Sequence, residues 1–159
     1  MERLRDEALR FFRMAYQMQM RGKLEQAIAH YKRSLEIEPT AEAHTFLGWT
    51  YSMMGRLDEA IAQCRRAIKL DPDFGNPYND IGVYLIEKGK IDDAIPWLKS
   101  AMEALRYENR EFPYANLGLI YERKLLWPLA LACYERALAV RPDYTLARQA
   151  VERLRANLN

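Results

Sequence analysis

The chain has 159 residues, of which 50% are apolar and 29% are charged, and this composition is typical of one folded domain. Lysine and arginine number 24 against 22 acidic residues, so the chain lacks the single-sign field that attracts nucleic acid. No apolar stretch reaches the ~20 residues of a membrane span, and charged residues interrupt residues 1–20, where a signal peptide needs an apolar centre. We therefore expect a cytoplasmic protein that binds no nucleic acid and does not insert into a membrane.

One sequence unit recurs along the chain. Three glycines, Gly48, Gly82 and Gly118, lie 34 and then 36 residues apart, and an alanine follows twelve residues after each of them. A period of this length is typical of arrays of helical repeats. The sequence therefore predicts four copies, the first of them degenerate, and a C-terminal helix. The predicted segments are residues 8–40, 41–74, 75–108, 111–144 and 145–159.

Each copy predicts two helices. In residues 44–54 the apolar and small side chains follow helical spacing, and Gly55 then interrupts the pattern. In the second helix Asp58 is the expected N-cap, and Ala60 begins a buried stripe. Pro72 ends this helix because proline disfavours helical geometry in the residue before it. A pair of helices cannot bury both of its faces, so successive pairs must stack on one another.

The third and fourth copies depart from this pattern. The third has Arg106 in place of the terminal proline, and two additional residues follow it, so we expect its second helix to continue through residues 102–107. A longer turn at residues 108–112 should come next. In the fourth copy Leu125 replaces the turn glycine. Pro128 then stands at a helix start, where its missing N–H group has no cost.

A last helix is predicted to follow the fourth copy, with Thr145 as its cap. Its apolar residues are expected to cover the end of the stack, while three arginines face water. The covering residues are Leu146, Ala150, Val151, Leu154 and Leu158. Terminal helices of short arrays often pack against a second copy, so a homodimer through Leu154 and Leu158 is left open.

These residues resemble the tetratricopeptide repeat, a 34-residue unit with an aromatic residue, Leu, Gly and Tyr, then Ala, an aromatic residue, Ala and Pro at fixed offsets. In the second copy these places hold His44, Leu47, Gly48, Tyr51, Ala60, Cys64, Ala67 and Pro72. In the fourth they hold Tyr114, Leu117, Gly118, Tyr121, Ala130, Tyr134, Ala137 and Pro142. The resemblance implies an all-α fold: an α-solenoid of antiparallel helix pairs forming a right-handed superhelix, in a single domain of residues 1–159.

The resemblance also implies that the first helix of each pair lines a concave groove. These helices have a second face beside the packing face, rich in aromatic residues and methionine towards the N-terminus. Such a surface usually marks a site for a protein or peptide. The candidate groove residues are Leu9, Phe12, Tyr16, Met20, Thr45, Trp49, Met53, Asn76, Asn79, Val83, Ile86, Phe112, Leu119 and Arg123. An aromatic stripe on a helix is also often core, so a packing role stays open for Phe12, Tyr16 and Trp49.

The sequence contains no pattern of catalytic or metal-binding residues. The histidines, His30 and His44, and the cysteines, Cys64 and Cys133, are few and scattered, without a nucleophile motif, phosphate loop or metal-ligand spacing. We expect His44 and Cys64 to have structural roles. The prediction is accordingly a protein without enzyme activity, cofactor or metal.

The predicted function is an adaptor that binds a hydrophobic or amphipathic segment of a partner protein. Tetratricopeptide domains that hold the C-terminal carboxylate of heat-shock chaperones use lysine, asparagine and arginine in this groove. The matching places here are Phe12, Tyr16, Phe46, Asn76 and Asp80, without a cation, so that role is not expected. Two alternatives remain: a dedicated chaperone that shields an aggregation-prone partner, and a role similar to that of tetratricopeptide proteins in pilus assembly.

Overall fold

The computed structural model describes residues 1–158, which form nine α-helices. The helices are α1 Glu2–Met20, α2 Leu24–Ile37, α3 Ala41–Met53, α4 Leu57–Leu70, α5 Asn76–Glu87, α6 Ile91–Glu103, α7 Glu111–Arg123, α8 Trp127–Val140 and α9 Thr145–Leu158. Within these residues the β-type pairing is confined to one isolated bridge, between Phe74 and Arg106. The predicted all-α class is confirmed.

The helices stack as pairs. Each odd-numbered helix up to α7 packs against the helix that follows it, each pair packs against the next, and α9 packs against α8. The odd-numbered helices also contact one another, α1 with α3, α3 with α5 and α5 with α7, whereas α2, α4, α6 and α8 make no comparable contacts among themselves within the described residues. Because helices on the inner side of a curved stack approach most closely, the odd-numbered helices line the concave side. The fold is an α-solenoid.

Glycine allows the two helices of a pair to approach closely. A Cβ atom added at Gly48 on α3 would lie 2.9 Å from the carbonyl oxygen of Ala60 and 3.3 Å from the Cys64 sulfur, both on α4. At Gly82 on α5 the added atom would lie 2.5 Å from the Leu98 side chain of α6. The repeating glycine of the sequence therefore marks the crossing point of the α3–α4 and α5–α6 pairs.

The turn inside each pair has one geometry throughout. One residue after the first helix adopts a positive φ, which glycine accommodates without steric cost. The φ angles are 76° at Gly22, 74° at Gly55, 78° at Gly89 and 61° at Leu125. The amide of the next residue then bonds back to the helix, as Leu126 N–H does to the carbonyl oxygen of Tyr121 at 2.9 Å. Leu125 therefore occupies a conformation that favours glycine.

Asp58 does not cap α4. The helix begins at Leu57, and the preceding Arg56 makes no side-chain cap hydrogen bond. The turn closed by Gly55 returns the backbone to helical geometry two residues earlier than expected, so Asp58 lies in the first helical turn. Its carboxylate pairs instead with Lys88, at the end of α5.

The prediction that the second helix of the third repeat continues to residue 107 is wrong, because α6 ends at Glu103. The Arg110 guanidinium donates hydrogen bonds to two carbonyl oxygens at the end of this helix, those of Met102, at 2.6 Å, and Ala104. A cation that satisfies terminal carbonyl groups stabilises a helix end. A side chain from the last residue of the following connection therefore marks the helix end that a terminal proline marks in other repeats.

The α6–α7 connection, residues 104–110, runs along the connection between α4 and α5. Arg106 N–H donates to the Asp73 carbonyl oxygen, and Gly75 N–H donates to the Arg106 carbonyl oxygen, both at 2.9 Å. Tyr107 is buried against Gly75, where an added Cβ atom would lie 2.4 Å from its ring. Arg106 and Tyr107 thus link the two neighbouring connections.

Helix α9 closes the C-terminal end of the stack. Its buried face consists of Ala147, Ala150, Val151 and Leu154, which pack with residues of α7 and α8. Leu146 and Leu158 are exposed, so the prediction that they cover the stack is wrong: they lie off the buried face of the helix. Because Leu154 is buried, it is not accessible to a second copy of the chain.

Candidate functional site

An aromatic cluster occupies the concave side at the N-terminal half of the stack. Phe46 on α3 lies at its centre, with ring centroids 5.2 Å from Phe12, 5.8 Å from Tyr16 and 5.8 Å from Trp49. The rings meet at steep angles, between 60° and 80°, which is the edge-to-face arrangement that aromatic pairs favour. The four side chains therefore form one continuous apolar surface across α1 and α3.

Much of this cluster faces outward. Tyr16 is 42% exposed and Trp49 is 39% exposed, although both touch the central ring of Phe46. Leu9, Met20 and Met53 are also exposed. Phe46 was not among the candidate groove residues. Its signal in the sequence was that it matches a groove position of chaperone-binding tetratricopeptide domains.

A pocket of about 600 Å³ opens at the N-terminal end of the aromatic cluster. Its apolar wall is formed by Leu9, Phe12 and Phe46. The polar and charged lining residues are Arg5, Ser34, Glu38, Thr40 and Glu42. A cleft of this size with an apolar wall and a few charged groups can accept one large side chain of a bound segment.

A chain of buried side-chain contacts connects α1, α2 and α3 next to the aromatic cluster. The Tyr31 hydroxyl on α2 donates to the Gln19 side-chain oxygen on α1 at 2.7 Å, and the Gln19 amide lies 3.4 Å from the Met53 sulfur on α3. Burial raises the pKa of the Tyr31 phenol well above its ordinary value, so it remains a proton donor. Three helices are thus tied together beneath the exposed aromatic side chains.

Two of the predicted groove residues are buried. The Thr45 hydroxyl donates to the carbonyl oxygen of Ala41 at 2.7 Å, within α3. The Asn79 side-chain oxygen on α5 accepts a hydrogen bond from Asn116 on α7 at 3.0 Å. The Thr45 hydroxyl is thus bonded within its own helix and Asn79 joins α5 to α7, which corrects the expectation that both side chains line the groove surface.

The other predicted residues continue the concave side towards the C-terminus. The half-buried ones are Asn76, Val83, Ile86, Phe112 and Leu119, and Arg123 is exposed. The ring of Phe112 lies 5.8 Å from that of Tyr144, which belongs to the connection before α9. This half is more polar than the aromatic half and has fewer exposed apolar side chains.

Asp80 lies between the two halves; it matches a groove position of chaperone-binding tetratricopeptide domains but was not among the candidate groove residues. Its side chain is half-buried on α5, and burial raises the pKa of its carboxyl to about 7. Within the described residues no hydrogen bond or ion pair to this carboxylate is found, unlike Glu42 on α3 and Glu122 on α7, which each pair with an arginine. The sequence signal for Asp80 was its position 34 residues after Phe46.

The histidine and cysteine candidates have structural surroundings. His44 Nδ1 lies 2.7 Å from the Gln63 side-chain oxygen, and burial lowers the pKa of the imidazole. Burial raises the pKa of the Cys64 thiol, and it raises that of Cys133 to about 11, which disfavours the reactive thiolate in both. Among residues 1–158 no group of three or more histidine, cysteine or acidic side chains is arranged to hold a metal ion.

Sequence comparison matches two segments to family models described as tetratricopeptide repeat, residues 41–74 and residues 114–148. A search of curated proteins finds no match. None of the helices in the described part of the chain has both the length and the apolar character needed to cross a membrane.

Solved structures share the fold over nearly the whole chain. The structure described as a functional characterization of Pseudomonas aeruginosa pilF is 25% identical with a TM-score of 0.86, covering 94% of this chain and 68% of that chain. A MamA structure is also 25% identical with a TM-score of 0.74, covering 90% and 83%. PilW, described as a type IV pilus biogenesis factor, is 20% identical with a TM-score of 0.83, covering 94% and 69%. The matched repeats and the shared helical stack identify this chain as a tetratricopeptide repeat protein.

Proposed function

We propose that this protein is a cytoplasmic adaptor that holds a segment of a partner protein in its concave groove during complex assembly. The observation that supports this function is the exposed aromatic cluster around Phe46. Aromatic rings are the side chains that contribute most to protein interfaces, and a group of them open to water on a concave face is unusual without a partner. The bound segment is hydrophobic or amphipathic, to match the rings and the charged residues beside them.

The rigidity of the groove favours tight binding. The aromatic rings lie on helices joined by the Tyr31, Gln19 and Met53 contacts, so the surface is already ordered before a partner arrives. A preorganised surface loses little conformational freedom on binding, and more of the contact energy then contributes to affinity. This property suits a scaffold that recognises one short segment.

The test is a double substitution, Tyr16→Ala with Trp49→Ala. Truncation of two central aromatic anchors typically weakens an interface by about 2 kcal/mol or more for each residue, so the partner should be lost from affinity capture in the source cell. The measurement is mass spectrometry of proteins retained by the wild-type chain and by the double variant, followed by cross-linking to locate the bound segment.

The matched control is Leu126→Ala with Leu129→Ala, which removes two exposed apolar side chains outside the candidate groove. This control should retain the partner, and both double variants should keep the circular dichroism spectrum of the wild type. If the Tyr16→Ala/Trp49→Ala variant is folded and retains every partner, the groove is not the binding site.

A chaperone for an aggregation-prone partner is the second candidate. The observation that favours it is a further group of exposed apolar side chains at the α7–α8 turn, Leu125, Leu126, Trp127 and Leu129. Together with the groove, this group could shield a larger apolar surface than a single peptide offers. A chaperone, unlike an adaptor, should keep the captured partner soluble at a one-to-one ratio when the two are produced together. For the pilus-assembly alternative, the similarity to PilW at 20% identity is a likeness of fold alone.

A further inference from the structure

Asp80 occupies the centre of the candidate groove. It follows Phe46 by 34 residues and precedes Asn116 by 36, so these three residues hold one position of the repeat on α3, α5 and α7. The three helices contact one another in turn along the concave side. Phe46 belongs to the exposed aromatic cluster and Asn116 bonds to Asn79, so the row passes from apolar to polar at Asp80.

Four acids near this row are neutralised within the described part of the chain, whereas Asp80 and Glu87 are not. Glu42 pairs with Arg106 at 3.1 Å, and Glu122 pairs with Arg153 at 2.6 Å. The acids at the starts of the second helices are likewise paired, Asp58 with Lys88 and Asp92 with Lys124. In the described part of the chain, Asp80 has no such partner.

The surroundings of Asp80 make its negative charge costly. The titratable groups that face it are the Cys64 thiol of α4, the Tyr84 phenol of α5 and the Tyr107 phenol of the α6–α7 connection. The neighbouring helices α3 and α7 place Phe46 and Asn116 in the same row, neither of which titrates. None of these groups supplies a positive charge, and a half-buried carboxylate without a counter-charge is disfavoured.

We propose, on the basis of the groove function above, that Asp80 is the subsite for an arginine or lysine side chain of the bound segment. Apolar residues of that segment then contact Phe46 and Trp49, and its cation pairs with the carboxylate. Charge complementarity selects this occupant. Glu87, two turns further along α5, is exposed and without an ion pair in residues 1–158, so the centre of the groove presents two unneutralised acids. Arginine fits best, because its planar guanidinium can pair with both carboxylate oxygens.

A neutral partner would leave this cost in place. A hydroxyl or amide group can donate a hydrogen bond to the carboxylate but does not compensate its charge, whereas a cation does both. The proposed segment is therefore amphipathic in a defined order: apolar residues towards α1 and α3, and a basic residue at α5.

Selection from a phage-displayed library of short random peptides tests the inference. The immobilised baits are the wild-type protein and the Asp80→Asn variant, which keeps the size of the side chain and removes its charge. Peptides enriched on the wild type at pH 8 should share an arginine or lysine beside apolar residues, and those enriched on Asp80→Asn should not.

One selected arginine peptide is then compared with its citrulline analogue by isothermal titration calorimetry. Citrulline should weaken binding to the wild type by about tenfold or more, as for close charge pairs at interfaces, and should have little effect on binding to Asp80→Asn. Asp80→Ala serves as a second variant in case the amide finds a new hydrogen bond.

The pH dependence of peptide affinity is an independent test of the Asp80 subsite. Because only about a tenth of a carboxyl group with a pKa near 7 is charged at pH 6, the affinity of the arginine peptide for the wild type should fall about tenfold between pH 8 and pH 6. The affinity of Asp80→Asn should not change in this range. Cys64, Tyr84 and Tyr107 do not contribute, because burial raises the pKa of each and they keep their protons.

The possible failures are distinguishable. If the wild type selects no peptide, or if selected peptides ignore the Tyr16→Ala/Trp49→Ala substitution, the groove function fails and the Asp80 subsite fails with it. If the selected peptides need Tyr16 and Trp49 but contain no shared cation, the subsite alone is overturned. The same conclusion follows if citrulline weakens binding to the wild type and to Asp80→Asn equally.

Discussion

A single left-handed residue ends the first helix of every repeat, and in the last repeat that residue is Leu125. The same place holds Gly22, Gly55 and Gly89 in the other repeats. For a residue with a Cβ atom this conformation costs roughly 1–2 kcal/mol. The Leu125 side chain is 67% exposed, so its burial offsets little of that cost.

We expect Leu125→Gly to raise the free energy of unfolding by about 1 kcal/mol, because the left-handed strain is larger than the entropic cost of glycine in the unfolded chain. Urea unfolding followed by circular dichroism measures the change. The matched control is Gly89→Leu, at a turn where an added Cβ atom meets no other atom within 4 Å. The control should lose a similar amount. An unchanged stability of both variants would show that the turns are not strained.

The replacement of a turn glycine by Leu125 was visible in the sequence, and so was the aromatic character of the groove. The burial of Thr45 and Asn79 was not visible in the sequence, because helical spacing shows on which face a residue lies but not which group its side chain contacts. Thr45 bonds to Ala41, and Asn79 bonds to Asn116. The lack of an ion pair at Asp80 within residues 1–158 could not be predicted either, since it depends on where the fold places lysine and arginine side chains from distant segments.

At the scale of a helix, the end of α6 depends on one side chain. Arg110 donates to the carbonyl oxygens of Met102 and Ala104, which receive no backbone hydrogen bond at the helix end within residues 1–158. The sequence predicted a longer helix because the terminal proline is missing and the repeat has two additional residues. A cap supplied by the last residue of the following connection leaves no trace in the repeat pattern, which is why the boundary was missed.

Arg110→Met should lower the free energy of unfolding by about 1–2 kcal/mol, since it keeps most of the side-chain volume and removes both charge-assisted hydrogen bonds. Urea unfolding is again the measurement. Arg148→Met on α9 is the control, because Arg148 is exposed, and its substitution should change stability by less than about 0.5 kcal/mol. Equal effects at the two positions would exclude a specific capping role for Arg110.

At the scale of the whole molecule, each repeat depends on its neighbours, and the last repeat depends on α9. A solenoid has no central core, so an uncovered terminal pair leaves an apolar face open to water. Helix α9 buries Val151 and Leu154, with two alanines, against α7 and α8. This architecture was predictable from periodicity because the repeat spacing alone fixes helix pairing and stacking order.

Truncation after Tyr144 removes α9. The loss of the two larger buried side chains should lower the free energy of unfolding by about 3–6 kcal/mol and promote self-association of the shortened chain. Urea unfolding and light scattering measure the two effects. Leu158→Ala, at an exposed position of the same helix, is the control and should change neither. If the truncated chain is as stable and as monodisperse as the Leu158→Ala variant, α9 is not a structural cap.

The α6–α7 connection affects how the array can bend. Through Arg106 it is fastened to Glu42 at the start of α3, to Asp71 after α4 and to the backbone of Asp73. An array of helical hairpins that contact only their neighbours can bend and extend. The Arg106 contacts join the α6–α7 connection to the start of α3 and to the α4–α5 connection, so the hairpins cannot move apart on this side of the array. These contacts restrict separation at this edge, so that the second and third hairpins keep their relative curvature.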